Sequence, residues 1–421
     1  MSGWRPGSAP TPGPRPAGVR VIVDVRPIQD PIRSPLTAIY LESLLDALDA
    51  DPADGESYAF LVGVDRDDPT PRWGNLDVVG RRLLPPTRLL RSGALTVDPL
   101  LLRGASVGAG WRAEEGGAAG SVYHASAGSL PIASRIPVVA ALLDLAPWSQ
   151  PDAYQRGTAA RFGQRLRARI LRDAAAVLVP GRTTADEARR LLHVRRDRLR
   201  VVPLAPRPAF RPEALPFGDE DRRRLGLGAR YAVYAGRYDA RQDLPTLLAA
   251  LGTLAEEPVP SGVAAADWPP RICLVGASPE DRASLSRDAL RVGVEAHLVY
   301  APALPDERLA GLVAGARVAL QPVRSDATGL AAMEAIAAGV PVIASAVGTL
   351  PEVVAGAGIL VEPGDPDRLA TAIRTAWSDA DPWPALVAAS RERAGHGRTW
   401  ADVARQTREA WSHAARPGPL L

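Results

Sequence analysis

The stretch from 318 to 341, VALQPVRSDATGLAAMEAIAAGVP, constrains the fold more than any other part of this 421-residue chain. An apolar run at Val318–Leu320 predicts a strand covered on both faces, and the polar loop after it leads into an alanine-rich helix that stops near Gly339. A helix that begins at the carboxyl end of a parallel strand presents free N–H groups and a partial positive charge. The stretch therefore predicts a βα unit with an anion-binding turn.

Two carboxylates frame this turn. Asp326 lies in the loop, and Glu334 lies about one turn into the helix that is predicted to start near Gly329. Ionised carboxylates accept hydrogen bonds, so beside a phosphate site they suit the recognition of sugar hydroxyl groups. The alternative, on these residues alone, is an ordinary βα unit with two solvated acids.

Short apolar strands alternate with amphipathic helices along the rest of the chain, which predicts an α/β protein with two doubly wound parallel sheets. Ligands bind such sheets outside the carboxyl ends of the strands, so we expect two Rossmann-like domains facing a cleft that holds the site. The predicted strands are Val19–Asp24, Tyr58–Val62, Leu76–Val79, Ser121–His124, Pro137–Leu143, Ala175–Val179, Leu199–Val202, Tyr231–Ala235, Ile272–Val275, His297–Tyr300, Arg317–Leu320, Pro341–Ala344 and Ile359–Val361. The predicted helices are 35–50, 156–172, 184–192, 243–254, 279–291, 305–314, 329–338, 366–378 and, by composition, 386–413.

Changes in composition suggest the domain boundaries. Residues 1–18 are rich in Pro, Gly and Ser and predict a disordered tail, and the proline-rich segment 203–216 predicts a linker. We therefore expect an N-terminal domain at 19–205, a C-terminal domain at 206–385, and a helix and tail at 386–421 that pack back on the N-terminal domain. Thr184 and Glu187 have the spacing of a capping box, which predicts a helix start at Thr184.

Composition limits the classes of protein. The single cysteine, Cys273, excludes a disulfide within the chain, and a lone thiol in an apolar run is typical of a reducing cytoplasm. The sequence contains no run of 18 apolar residues, so it predicts no transmembrane helix. The N-terminal residues lack the apolar core of a signal peptide. All 50 Lys and Arg positions are Arg, and the formal net charge is only +3.

The second half of the chain resembles the donor domain of retaining family-four glycosyltransferases of the GT-B fold. The resemblance rests on YAVYAGRYDARQDLPTLLAAL, ICLVGASPED and the long stretch from RLAGLVAGARVALQPV through to DPDRLATAI, over roughly 150 residues. The first half is more weakly similar to the same superfamily through VRVIVDVRPIQ, VYHASAGSLP and IPVVAALLDLAPWSQPDAY. The first half is most similar to mannosyltransferase-type enzymes of surface polysaccharide assembly.

The resemblance implies roles for individual residues. The family's pair of acids, eight residues apart, falls on Asp326, which would face the donor sugar, and Glu334, which would accept hydrogen bonds from the ribose hydroxyls of a nucleotide-sugar. Gly329 and Leu330 would offer backbone N–H groups to the donor, and Arg237 would meet its diphosphate. The resemblance also implies retention of anomeric configuration, with the leaving phosphate helping to deprotonate the acceptor, and no metal or other cofactor.

The sequence departs from the family pattern near this site. The family's Lys corresponds to Gln242, with Arg241 beside it as a possible substitute, and Leu143 stands where a His usually precedes Asp144. PIRSPLT replaces the glycine-rich loop after the first strand. A charge-assisted hydrogen bond contributes about 1.5–3 kcal/mol, so loss of the Lys alone would weaken donor binding by about ten- to a hundredfold.

Four further features have two interpretations each. His124 could touch the acceptor or sugar, or be a satisfied buried histidine, and Asp144 could orient the acceptor or cap its loop. The arginine-studded helix 156–172 could be a solvated face or a basic surface for anionic lipid, and the Arg/Leu stretch 81–103 has the same ambiguity. No aromatic platform or reader motif accompanies the arginines, so nucleic acid is not an expected partner.

We therefore expect a cytoplasmic glycosyltransferase, peripheral at the inner face of the membrane, that moves a hexose from a GDP- or UDP-linked sugar to a glycan or lipid-linked glycan. The alternative is a glycosyltransferase-like binding or regulatory protein with weakened turnover, which Gln242, Leu143 and the altered first loop favour. A NAD-dependent oxidoreductase is not expected, because the chain lacks a strand-linked glycine fingerprint.

Overall fold

The computed structural model describes residues 18–85, 99–104, 120–126, 130–380, 382–394 and 396–415. The predicted disordered tail falls almost entirely outside these residues, as do most of the Gly-rich 104–120 segment and the middle of the Arg/Leu stretch. The described part contains two parallel sheets with helices between the strands, which confirms the predicted α/β class with two Rossmann-like domains.

The first sheet has seven strands in the order β3-β2-β1-β4-β5-β6-β7. Its strands are β1 (Arg20–Asp24), β2 (Ser57–Gly63), β3 (Val78–Leu84), β4 (Ser121–Ser126), β5 (Val138–Ala141), β6 (Ala176–Val179) and β7 (Leu199–Val201). The helices between them are α1 (Arg26–Gln29), α2 (Pro35–Ala50), α3 (Ala146–Ser149), α4 (Pro151–Tyr154), α5 (Thr158–Asp173) and α6 (Arg182–Leu192). The order of the strands reverses at β1, which pairs with β2 on one side and β4 on the other.

The second sheet has six strands in the order β10-β9-β8-β11-β12-β13. Its strands are β8 (Ala232–Ala235), β9 (Ile272–Val275), β10 (Leu298–Ala301), β11 (Val318–Gln321), β12 (Val342–Ser345) and β13 (Gly358–Val361). The accompanying helices are α7 (Asp219–Leu225), α8 (Leu244–Glu256), α9 (Pro279–Arg291), α10 (Asp306–Ala314), α11 (Leu330–Ala337), α12 (Leu350–Val354) and α13 (Pro366–Trp377). Two helices end the chain, α14 (Trp383–Ala394) and α15 (Trp400–Ala415).

Helices cover both faces of the second sheet. Successive side chains of a strand point to opposite faces, so Val233 and Cys273 belong to one apolar cluster while Tyr234 and Leu274 belong to the other. Two buried layers explain why these strands read as continuous apolar runs instead of alternating ones.

By its contacts the chain forms two compact units. The first comprises residues up to Ala141, Asp173–Val177 and those from Thr407 onward, and the second comprises Leu142–Arg172 and Leu178–Gln406. Within the described ranges, no helix is both long and apolar enough to cross a membrane.

Three local predictions were wrong. The predicted helix 386–413 is two helices, α14 (Trp383–Ala394) and α15 (Trp400–Ala415). Strand β3 runs from Val78 to Leu84, beyond the predicted Leu76–Val79, because it is an edge strand whose exposed side chains show no apolar run. Helix α6 begins at Arg182, and its N-cap residue is Gly181, which has no side chain to form a capping box. The Thr184 hydroxyl instead donates to the Ala327 carbonyl oxygen at 2.9 Å.

Candidate functional site

The second sheet has its topological switch point between β8 and β11. Strands β9 and β10 lie on one side of β8, and β11, β12 and β13 lie on the other. The loops that follow β8 and β11 therefore leave the sheet in different directions and open a crevice at their carboxyl ends, where ligands of such sheets bind. Arg237, Arg241 and Gln242 follow β8, and Asp326 and Gly329 follow β11.

Backbone hydrogen bonds join the two loops. The Asp243 N–H donates to the Pro322 carbonyl at 2.8 Å, and the Arg324 N–H donates to the Arg241 carbonyl at 2.7 Å. Between them Gln242 and Val323 form an antiparallel bridge. The structure thus brings the site residues predicted in the two loops to one edge of the sheet, as the sequence pattern suggested.

Asp326 folds its own loop. Its Oδ1 accepts the N–H groups of Gly329 at 2.7 Å and Thr328 at 2.8 Å. Burial raises the pKa of Asp326, the charge of Asp144 adds to that rise, and the hydrogen bonds from the two amides oppose it. The Leu330 N–H lies 3.4 Å from the Thr328 hydroxyl oxygen, so both amides predicted to bind a donor are already engaged inside the loop.

The turn also depends on a second segment of backbone. Gly348 has φ of +54°, and a Cβ on it would lie 1.6 Å from the Asp326 carbonyl oxygen, so only glycine fits here. The Thr349 N–H donates to the same carbonyl at 3.1 Å, and the hydroxyls of Thr184 and Thr349 converge on the Ala327 carbonyl at 2.9 and 2.7 Å. The shape of the loop is therefore fixed from three parts of the chain.

Glu334 is buried in α11 with 5% of its surface exposed. Arg207 binds it side-on: Nε donates to Oε1 at 2.6 Å and Nη2 donates to Oε2 at 2.9 Å. The remaining Arg207 nitrogen, Nη1, donates to Oδ1 of Asp306 at 2.6 Å. Glu334 is therefore not a solvated acid, which was the alternative interpretation of this residue. The sequence analysis did not identify its partner, Arg207, which lies 127 residues away in the chain.

Arg241 is held by two carboxylates. Its Nε donates to Asp239 Oδ1 at 2.9 Å, its Nη2 also contacts Asp239, and its Nη1 donates to Asp144 Oδ2 at 2.6 Å. Burial alone would raise the pKa of Asp239, but the hydrogen bonds and charge of Arg241 lower it to about 2. Arg237 pairs with the same Asp239 at 3.1 Å. The two arginines predicted to meet a diphosphate therefore share two acids, and these four residues carry no net charge.

Asp144 and Gln242 both take structural roles. Asp144 Oδ1 accepts the Ala146 N–H at 2.9 Å, which is the loop cap, while its Oδ2 binds Arg241. The side-chain oxygen of Gln242, Oε1, accepts the Tyr234 hydroxyl at 2.8 Å. Leu143 is buried, so nothing polar replaces the family's His at that position.

His124 lies in β4, in the core of the first unit, with 1% of its surface exposed. The Trp411 indole N–H donates to Nδ1 at 3.2 Å, so Nδ1 is an acceptor and the proton sits on Nε2, which lies 3.2 Å from the Tyr40 hydroxyl. Burial lowers its pKa to about 3. Both nitrogens are engaged in a neutral ring, so the structure supports the buried, satisfied histidine and offers no geometry for a catalytic role.

No group of three or more His, Cys, Asp or Glu side chains within the described ranges is placed to hold a metal ion. The helix predicted to be basic, α5, exposes Arg161, Arg165 and Arg169 at a spacing of four residues, and the neighbouring Phe162 is 59% exposed. Its buried residues include Ile170 and Leu171, so the helix has one packed and one basic face.

Comparison with known proteins agrees with the fold. Residues 219–393 match the model of the family described as glycosyl transferases group 1. The chain is 28% identical over 230 residues to a D-inositol 3-phosphate glycosyltransferase of Corynebacterium kroppenstedtii, covering 52% of this chain and 49% of that protein. It is 34% identical over 117 residues to the O-antigen chain mannosyltransferase B of Escherichia coli, covering 28% and 30%.

Solved structures resemble nearly the whole chain. Sucrose-phosphate synthase from Thermosynechococcus elongatus has a TM-score of 0.68 at 22% identity, covering 93% of this chain and 98% of that one. Anabaena Alr3699/HepE, in complex with UDP and glucose, has a TM-score of 0.66 at 16% identity with the same coverage. These likenesses show the fold, which is that of GT-B glycosyltransferases.

The chain spans about half the length of the curated relatives it matches. The segment that matches the family model, 219–393, contains the β8 and β11 loops and α11. Residues 219–393, which match the model of that family, therefore hold the predicted donor-binding residues.

Proposed function

We propose that the protein is a glycosyltransferase that moves a hexose from a nucleotide-sugar to a hydroxyl group of a glycan or lipid-linked glycan. One observation carries the proposal: Arg237, Arg241, Asp326 and Glu334 lie beyond β8 and β11 or in α11, around the switch point of a sheet within the matched segment. Cations beside this crevice suit a diphosphate, and carboxylates suit sugar hydroxyls. The complexes of HepE with UDP support a nucleotide-sugar as donor.

The reaction that we propose retains the configuration of the anomeric carbon and uses no metal. The bond from the anomeric carbon to the diphosphate oxygen breaks, the acceptor oxygen attacks the same face, and its proton passes to the leaving phosphate. Asp326 would face the donor sugar, and its engagement with the Gly329 and Thr328 amides fixes its position. Retention and metal independence rest on the family resemblance, and NMR of the product anomer and assays in EDTA test them.

Arg237 and Arg241 would bind the diphosphate. Arg241 has three N–H groups on Asp239 and Asp144, which leaves two of its five N–H donors for a ligand. The amides of Gly329 and Leu330 would reach a donor only if it displaced Asp326 and Thr328. Asp144 would stay with Arg241 and position it, instead of touching the acceptor.

A panel of UDP- and GDP-sugars tests the proposal by thermal shift and by transfer. A ligand present at a hundred times its dissociation constant stabilises the folded state by about 2.7 kcal/mol, which raises the melting temperature by several degrees in a chain of this size. Glu334→Gln should remove most of that shift, because an amide is a weaker acceptor for the ribose hydroxyls. If no member of the panel raises the melting temperature, the proposed function is wrong.

A second function fits one observation at the same site. The two phosphate-directed arginines are neutralised by Asp239 and Asp144, and Gln242 supplies no charge. Such a site suits a protein that binds a nucleotide-sugar weakly and regulates another enzyme. Stabilisation by a nucleotide-sugar without detectable hydrolysis or transfer, across a panel of acceptors, would favour this binding protein over the enzyme.

We also propose that the protein works in the cytoplasm, at the inner face of the membrane, with α5 as the contact. The exposed Arg161, Arg165 and Arg169 match an anionic lipid surface, and Phe162 beside them could enter the headgroup region. Replacing the three arginines by Gln should reduce sedimentation with phosphatidylglycerol vesicles. Equal sedimentation of the variant and the unmodified protein would contradict a role for α5.

A further inference from the structure

Arg207 joins three separate segments beside the proposed donor site. It lies in the segment between β7 and α7, its carboxylate partner Glu334 lies in α11, and Asp306 is the first residue of α10. Its guanidinium also lies over the Phe210 ring, 4.9 Å from the centroid. Each of its three nitrogens donates a hydrogen bond, and 13% of the side chain is exposed. The guanidinium therefore has one orientation.

This orientation dictates that of Glu334. Two parallel N–H···O bonds hold both carboxylate oxygens in the plane of the guanidinium, so the carboxylate cannot rotate. A buried ion pair of this kind is weak evidence for stability, because desolvation offsets much of the attraction. Its geometric consequence is stronger, since a point charge such as Lys would fix neither the plane nor the tilt of the carboxylate.

The pair leaves Glu334 able to bind a ligand. An ionised carboxylate has about four acceptor positions, and Arg207 takes one on each oxygen. One position on each oxygen remains, and the two are held at a fixed separation. These two positions lie on the outer edges of the carboxylate and point away from each other, so a ribose hydroxyl can donate to one oxygen, but a vicinal pair cannot bridge both.

We infer that Arg207 is a positioning residue, which holds the Glu334 carboxylate so that one of its oxygens can accept a hydroxyl group of the donor's ribose. The inference rests on the proposed function. It assigns the protein's discrimination between ribose and a sugar without the diol to a residue outside the segment that matches the family model. Arg207 does not touch the donor, and Asp306 keeps the guanidinium in place.

The chain offers a matched control for the same chemistry. Arg308 donates to both oxygens of Asp221, at 2.9 and 3.2 Å, and its guanidinium lies 4.3 Å from the centre of the Phe217 ring. This pair repeats the arrangement of a bidentate carboxylate and an aromatic face on the other side of α10's first turn, but Asp221 has no proposed ligand. Arg308→Lys therefore makes the same substitution at a bidentate pair away from the proposed ligand, although Arg308 is more exposed, 52% against 13% for Arg207.

The test compares UDP and GDP with their 2′,3′-dideoxy counterparts by calorimetry. In the unmodified protein, the ribose nucleotide should bind at least tenfold more tightly than the dideoxy form, as expected for one hydrogen bond to a charged acceptor. Arg207→Lys should reduce that ratio to less than threefold while affinity for the dideoxy form stays within a factor of two. Arg308→Lys should leave the ratio at its original value.

Each outcome decides between the hypotheses. If Arg207→Lys preserves the ratio, the positioning role is wrong even if the nucleotides bind. If neither UDP nor GDP binds the unmodified protein, both the proposed function and this inference are wrong. If Arg207→Lys does not fold, Asp306→Ala replaces it, because this change removes the acceptor of the Arg207 Nη1 and leaves the Glu334 pair in place. A two- to threefold fall in the ratio for Asp306→Ala supports the positioning role, and an unchanged ratio overturns it.

Discussion

The two sheets reverse their strand order in the same way, but the groups at the two switch points are used differently. In the first sheet, beside β1 and β4, Asp24 is 1% exposed and binds Arg26 two residues on, and His124 is sealed between Tyr40 and Trp411. In the second sheet the equivalent ends lead to partly exposed side chains, such as Arg237 with 35% of its side chain accessible. Among the described residues, Asp24 and His124 at the first switch point are enclosed by protein groups, whereas the arginines at the second remain within reach of a ligand.

The comparison also explains the distribution of the family resemblance. Over the second sheet the matching residues are loop residues that bind or shape the turn, such as Gly329, Asp326 and Gly348. Over the first sheet the matching stretches are mainly strands, and a buried strand can change its residues freely as long as it stays apolar. The stronger resemblance thus follows the part of the molecule in which backbone geometry is demanding.

The largest expected effect is at the turn of the second switch point. Gly348→Ala would place a methyl group 1.6 Å from the Asp326 carbonyl oxygen at a φ of +54°, so the loop must move. We expect a loss of about 3–5 kcal/mol in the free energy of unfolding, with loss of nucleotide binding. Urea unfolding and calorimetry would measure both.

Gly356→Ala is the control for that change. Gly356 also has positive φ, +84°, but a Cβ on it meets nothing within 4 Å. Its substitution should cost about 1 kcal/mol and leave nucleotide affinity intact. Equal effects of the two substitutions would mean that the close approach to Asp326 is not what makes glycine necessary at 348.

The positions of the strands could be predicted because the signals for a strand are local in sequence. The hydrogen-bond partners of the site residues could not be predicted, because they lie far away in the chain. Each strand of the second sheet is an apolar run bounded by turn residues, so sequence located all six within about one residue. By contrast, Arg207 and Glu334 are 127 residues apart, and Asp144 and Arg241 are 97 residues apart. Nothing in either local sequence indicates that these cations are already paired.

Thr184 shows how a local rule fails. Its spacing from Glu187 satisfies the capping-box pattern, but the helix had already begun at Arg182. The hydroxyl is used in a tertiary contact with the Ala327 carbonyl, 143 residues away. A pattern of two residues cannot distinguish a helix start from a position two residues inside it, and the tertiary contact decides which one forms.

An intermediate effect is expected at the first switch point. His124→Phe keeps the ring volume but leaves the Trp411 indole N–H without its buried partner and removes one partner of the Tyr40 hydroxyl. We expect about 1–3 kcal/mol less stability in urea unfolding, because an unpaired buried group costs about that much. Nucleotide affinity should not change, and a large change in affinity with little loss of stability would restore a role for His124 in the reaction.

The pH dependence of stability gives an independent check of the same residue. The pKa of His124 falls from its ordinary 6.5 to about 3 on folding, so the unfolded chain binds its proton first as pH falls. Stability that is fully present above pH 6.5 is then lost toward pH 3, by at most about 1.4 kcal/mol per pH unit from this residue. His124→Phe should flatten this part of the profile, and an identical slope would show that His124 is not neutral in the folded state.

The smallest effect is expected at the second switch point, for the acids that neutralise Arg237 and Arg241. Asp144→Asn removes one of the two acids that hold Arg241 and leaves an amide oxygen to accept from its Nη1. The net charge at the arginines rises by one, so UDP and GDP should bind about three- to tenfold more tightly at low ionic strength, and the gain should shrink with added salt. Asp152→Asn, on the exposed start of α4, makes the same charge change without touching Arg241 and should give little gain. A gain of equal size for both variants would mean that long-range charge, and not the contact between Asp144 and Arg241, limits binding of the diphosphate.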